Sequence, residues 1–152
     1  MKQSILLLIF PVWLCLPDQI SAQIKHFKGD WTKDGTTYLF DFDLYIKHID
    51  GDAVEGVFNW TYKQYDENDP WSKDYYEEKK DATAKEYVRG KYDAKTKTYY
   101  LHGYKKDDPQ QIIAPDDYIL ILDKNDNIGG DTKAQGSWEG RINGKVVRDD
   151  AA

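Results

Sequence analysis

From residue 38 to residue 47 apolar and polar positions alternate. Tyr38, Phe40, Phe42, Leu44 and Ile46 share one face, and Leu39, Asp41, Asp43, Tyr45 and Lys47 share the other. A period of two is the spacing of a strand with one face on a core and one in water. Asp50-Gly51 is a hairpin turn signal. Beyond it, Val54, Gly56, Phe58, Trp60 and Tyr62 alternate with Glu55, Asn59, Thr61 and Lys63. The pattern predicts two long antiparallel strands joined by a tight turn.

The rhythm continues. Residues 87–92 and 98–104 read as a second hairpin through Asp93-Ala94-Lys95-Thr96. Residues 118–122 and 128–132 read as a third across Lys124-Asn125-Asp126-Asn127, a cluster of turn formers. Residues 137–142 make a last strand, and residues 27–31 a first one turned at Asp34-Gly35. Gly56-Val57-Phe58, Gly90-Lys91-Tyr92 and Gly136-Ser137-Trp138 repeat glycine two positions before an aromatic. That aromatic shares the glycine's face and can fill the space left there. The prediction is an all-β fold, an antiparallel up-and-down meander closing as an eight-stranded barrel. A two-sheet β-sandwich gives the same alternation and stands as the alternative.

Two connections break the even spacing. The first, residues 64–85, is charged and aromatic and contains Tyr65, Trp71, Tyr75 and Tyr76. Asp69 is placed to cap a short helix with Pro70 at its first position, which sets Trp71 and Tyr75 on one face. The second, residues 105–117, holds Asp107-Asp108-Pro109 and the apolar pair Ile112-Ile113. Loops of this length in a small domain are often functional, and they also serve to cover a barrel end.

The amino terminus changes the setting. Lys2, an apolar run over residues 5–16 and the small residues Ser21-Ala22 have the layout of a secretory signal peptide cleaved near Ala22. The expected organisation is a signal peptide over 1–22, one β-barrel domain over 23–145 and a polar tail over 146–152, acting in the periplasm or secreted. Cys15, the one cysteine, falls in the leader behind Trp13 and Leu14, without the small residue that a lipid-attachment signal needs just before its cysteine. The remaining chain of about 130 residues is long enough for one core and has no disulfide or thiol chemistry. A formal charge of −6 disfavours nucleic acid and anionic lipid as partners. No later segment is apolar enough for membrane insertion by a helix.

Gly29-Asp30-Trp31 on the first strand and Trp138-Glu139-Gly140-Arg141 on the last resemble the calycin superfamily of lipocalins, fatty-acid-binding proteins and avidins. The run over residues 31–36 looks especially avidin-like. The resemblance implies a small closed barrel in which Trp31 and Arg141 stack as a cation–π pair over one end. It does not carry the ligands across, because the tryptophans that line the avidin site on later strands are missing: only Trp138 follows Trp71.

Candidate chemistry is sparse. Asp123, Asn125 and Asn127 match the first three ligand positions of a calcium loop, but Ile128 and Ala134 stand where glycine and the bidentate glutamate belong. His48, Asp50 and Asp52 share a hairpin end and fall short of the ligand count of a zinc site. Asp41 and Asp43, Asp107 and Asp108, and Asp116 and Asp117 are carboxylate pairs. Hydrolytic chemistry would need one member of a pair buried, and Asp41 and Asp43 fall on the polar face. No catalytic residue, metal or cofactor is assigned.

The aromatic content points elsewhere. Tyr and Trp join a large apolar body to a polar tip, which suits binding sites, and three of them crowd one loop. The expectation is a non-enzymatic binding domain for a small molecule or glycan, with Trp71, Tyr75, Tyr76, Tyr65 and Trp60 at the site. A structural or protein–protein interaction module with a packed interior is the alternative.

Overall fold

The two alternating runs form the longest strands of a closed barrel. In a computed structural model describing residues 24–134 and 139–148, eight antiparallel strands follow one another in chain order. They are β1 (Ile24–Thr32), β2 (Leu39–Asp50), β3 (Ala53–Gln64), β4 (Thr83–Asp93), β5 (Thr98–Asp107), β6 (Asp116–Leu122), β7 (Ile128–Ala134) and β8 (Gly140–Val146). Each pairs with its sequence neighbours, and β8 returns to pair with β1, with Trp31 opposite Ile142 and Phe27 opposite Val146. That last ladder makes the fold an up-and-down barrel and removes the sandwich alternative. The expected signal peptide over 1–22 and the Gly136-Ser137-Trp138 triplet lie outside the described residues.

Inward positions build the core. Phe42, Leu44 and Ile46 of β2, Phe58 of β3, Val88 of β4, Leu101 of β5 and Leu120 of β6 are all buried. Gly56 and Phe58 share the inner face as their spacing predicts, and Phe58 is fully buried. The final strand runs later than the predicted 137–142, ending at Val146 with Val147 N–H donating to His26 C=O. Its inner face carries Gly140, Ile142 and Gly144, and a side chain at Gly144 would strike Phe42 and Ile128. Glycines on that face hide the strand from a hydrophobic pattern.

The two barrel ends differ in kind. One is closed by short hairpins. Gly51 turns the first of them at φ +55°, and Asp123 Oδ1 accepts the Asn125 and Asn127 N–H groups at 2.7 and 2.9 Å in the last. The asparagines of the calcium-like run are thus held within a turn. Among the described residues no group of three His, Cys, Asp or Glu converges, and no helix is long and apolar enough to cross a membrane. The other end carries the long connections.

Candidate functional site

At the open end the β3–β4 connection forms a helix, α1 (Pro70–Tyr76), followed by a 3₁₀ turn over Glu77–Lys79. Asp69 caps it by accepting the Trp71 N–H at 3.1 Å, and Pro70 stands in the first turn, where its missing N–H costs nothing. Ser72 and Tyr76 anchor the helix to the barrel. The Tyr38 hydroxyl is hydrogen-bonded to Ser72 Oγ, and the Tyr76 ring packs at 5.8 Å from Tyr38 and 5.2 Å from Tyr62. The opposite face is presented outward. There Trp71 and Tyr75, one helical turn apart, stack in parallel at 5.1 Å with 8° between their planes. Lys79 Nζ sits 3.3 Å from the centroid of the Tyr75 ring.

The β5–β6 connection is held by one side chain. Asp108 Oδ1 accepts the Ile112 N–H at 2.9 Å, and Oδ2 accepts the Ile113 N–H and Lys106 Nζ at 3.0 Å each. Lys106 Nζ also donates to the Ile113 carbonyl at 2.6 Å. This clamp turns Ile112 into the core, where it is 2% exposed.

Between helix and loop the barrel opens into a cavity of about 340 Å³, within the range of small-ligand pockets. Trp31, Phe40 and Trp60 line it from the strands, Trp71, Tyr75 and Tyr76 from the helix, and residues 111–114 from the clamped loop. Glu86, Asp116 and Tyr118 complete the lining. Below it the barrel is filled by the apolar core.

Glu86 organises the polar part of the cavity. It is 1% exposed, and three donors, one from β3 and two from β6, converge on it. Trp60 Nε1 and the Tyr118 hydroxyl donate to Oε2 at 3.1 and 2.5 Å, and the Asp116 N–H donates to Oε1 at 3.0 Å. Burial pushes the Glu86 carboxyl up, against the pull of these hydrogen bonds. Asp116 is raised to about 7, by burial first and by the neighbouring Glu86 charge second, while a hydrogen bond from Thr132 works the other way. Thr132 Oγ1 in turn accepts Trp31 Nε1 at 2.8 Å. Tyr118 is held neutral, its pKa driven well up by burial and then by Glu86. One polar network therefore joins β1, β3, β4, β6 and β7 across the cavity.

Of the residues singled out from the sequence, Trp60, Trp71, Tyr75 and Tyr76 line this cavity. Tyr65 is set apart: it packs against the core, and its carbonyl accepts the Thr37 hydroxyl at 3.0 Å. The expected Trp31–Arg141 stack is corrected. Trp31 points inward and lines the cavity, whereas Arg141, opposite Thr32 in the ladder, points outward with its Nε 3.4 Å from Asp34 and 3.7 Å from Asp131. Gly140 takes the place against the indole, where a Cβ would fall 2.4 Å from Trp31 Cε2. Asp41 and Asp43 lie on the outer face, paired with Lys63 and with His26 and Lys28.

Glu86 and Tyr118 were not among the expected site residues, and Asp116 entered only as half of a carboxylate pair. The available signal was parity: Ala84, Glu86 and Val88 alternate, so a strand extended back from Val88 turns Glu86 inward. No protein-family model, no curated protein and no solved structure matches this chain.

Proposed function

We propose that this protein is an exported, non-enzymatic binding domain that takes a small molecule or glycan into the open barrel end. The observation that carries this reading is the cavity of about 340 Å³ walled by aromatic rings from two separate structural sources, the strands and the capped helix. A ligand burying about 150 Å² of apolar surface there gains about 4 kcal/mol before the costs of immobilisation. The Trp71–Tyr75 stack offers a large, pre-ordered face with little side-chain entropy left to lose. Glu86 already accepts three hydrogen bonds, which suits a fixed acceptor more than a proton carrier. The leader-like residues 1–22 support the extracytoplasmic setting, and the closed eight-strand meander supports a calycin-like architecture.

A thermal-shift screen of the purified protein against sugars, fatty acids, aromatic amines and nucleotides tests the reading. A true ligand raises Tm by mass action on the folded state, and the shift shrinks in Trp71→Ala with the fold intact. A shift that survives both Trp71→Ala and Trp60→Phe would place binding elsewhere and overturn the proposal, as would a flat response across the panel.

One observation favours the interaction-module reading. Tyr100, Ile119 and Ile121 lie outward on the paired strands β5 and β6 at 48, 52 and 52% exposure, with Tyr100 opposite Ile119. Sedimentation of the protein beside Ile119→Glu decides whether this patch associates with a second copy.

A further inference from the structure

We infer that the cavity takes a cationic ligand, one whose ammonium or similar nitrogen group meets the Glu86 and Asp116 carboxyls while an aromatic or apolar body lies against the surrounding rings. This rests on the binding reading above and names the ligand class for the same site.

The first argument is charge. Two carboxyls line the cavity, and among the described lining residues there is no Lys, Arg or His. Lys106 is the cation that acts on Glu86, but its ammonium is held by Asp108 Oδ2 at 3.0 Å and the Ile113 carbonyl at 2.6 Å. Buried charge is ordinarily paired. Here Glu86 receives hydrogen bonds from neutral donors only, so no cation of the described lining stands against its carboxyl. A ligand cation supplies the missing opposite charge, and an anion would add a third negative centre in a low-dielectric site.

The second argument is independent of the carboxyls. Aromatic rings attract cations over their faces, tryptophan most strongly, and Trp31, Trp60 and Trp71 all line this one cavity. The protein already uses the same attraction at its rim, where Lys79 Nζ sits 3.3 Å from the Tyr75 centroid. Rings and carboxyls together form a surface that favours a cation over a neutral molecule of the same shape.

Three indole probes of matched shape test this by calorimetry at pH 7.5: tryptamine, tryptophol and indole-3-acetate, which carry an ammonium, a hydroxyl and a carboxylate. The expected result is tryptamine binding at least about tenfold tighter than tryptophol, with indole-3-acetate weakest. In Asp116→Asn, which keeps the backbone N–H that Glu86 accepts, the gap between tryptamine and tryptophol should close to about threefold or less. Equal affinity for tryptamine and tryptophol in the unaltered protein, or a preference for indole-3-acetate, overturns the cation assignment and leaves the binding reading standing. No heat from any probe overturns the cation assignment, and the binding reading falls with it only if the thermal-shift panel is flat as well.

Discussion

Gly103 leaves open the space that the Glu86 carboxyl occupies: a Cβ at Gly103 would fall 2.0 Å from Glu86 Oε1 and 3.1 Å from the Asp116 carbonyl. The register of β4 and β5 shifts between Tyr87 and Val88, beside this point, and such bulges re-aim side chains near functional sites. Gly103→Ala is expected to push Glu86 off its three donors and destabilise the barrel by about 2–3 kcal/mol. Gly129→Ala is the control, because its nearest neighbour would be an ordinary contact at 3.6 Å. Urea denaturation of the two variants should separate them clearly.

Two buried tyrosine hydroxyls should respond in opposite ways to removal. Tyr118 donates to Glu86 at 2.5 Å, and a hydrogen bond to a charged group contributes about 1.5–3 kcal/mol. Tyr118→Phe should cost that much at pH 8 and less at pH 4, where Glu86 is neutral. Tyr99 Oη is buried with no hydrogen-bond partner among the described residues, so Tyr99→Phe should be neutral or stabilising. Equal losses in the two variants, measured at pH 8, would refute the special standing of the Glu86 network.

Stability should fall as pH rises toward neutrality. Asp116 holds its proton to about 7 in the folded protein, while an unfolded aspartate releases it near pH 4. Between these values the native state binds the extra proton, so its contribution is full below about pH 4 and lost on passing 7. Glu86, also raised, acts in the same direction. The groups around Asp116 are Glu86 from β4, Thr132 from β7, and Asp117 and Tyr118 of its own strand. Lys106 from β5 acts on Glu86. Asp81, Asp93 and Asp123 are held low by hydrogen bonds from Lys63, Thr96 and Asn127, so they matter only in more acidic solution. Asp116→Asn should flatten the fall and gain on the order of 1–3 kcal/mol at pH 8, discounted for partial solvent screening. Thermal melts from pH 4.5 to 8 check it.

Asp108 is the positioning residue of the cavity's second wall. Its carboxylate holds two consecutive backbone N–H groups and Lys106. Asp108→Ala should release the 108–115 loop, lower stability by about 2 kcal/mol, and raise hydrogen exchange at Ile112 and Ile113. Asp108→Asn offers only one acceptor oxygen and should fall between the two. Unchanged exchange at both isoleucines would show that the loop is held by packing alone.

How far the sequence was legible follows from which face each residue takes. Strands β2 and β3 announce themselves because runs of large apolar residues fill their inward positions, with Gly56 as the exception in β3. The helix does so through Asp69-Pro70, whose capping and fixed φ are local properties. Strand β8 is obscured because two of its inward positions are glycines. The Arg141 expectation failed on parity: the strand pair was right, but neighbouring residues on a strand face opposite ways, so Gly140 meets Trp31 and Arg141 meets solvent. Glu86 was missed for a related reason. A glutamate between Lys85 and Tyr87 reads as solvent-facing unless β4 is begun at Thr83, and its donors Trp60, Tyr118 and Asp116 come from far along the chain.

Trp71 separates stability from binding. It is 61% exposed, and its main described partners are the rings of Tyr75 and Tyr76, at 5.1 and 6.4 Å. Losing it removes little buried surface, while Asp69, Ser72 and Tyr76 still fix the helix in place. Trp71→Ala should therefore change stability by about 0.5–1 kcal/mol. At the cavity the same change removes one whole ring of the wall and leaves Tyr75 without its stacking partner. Affinity for tryptamine should fall by about tenfold or more, equivalent to about 1.4 kcal/mol. Paired urea melts and calorimetry on this variant would show the two effects apart. A loss of stability as large as the loss of binding would instead make Trp71 a structural residue of the helix, and the stacked rings would no longer count as a binding face.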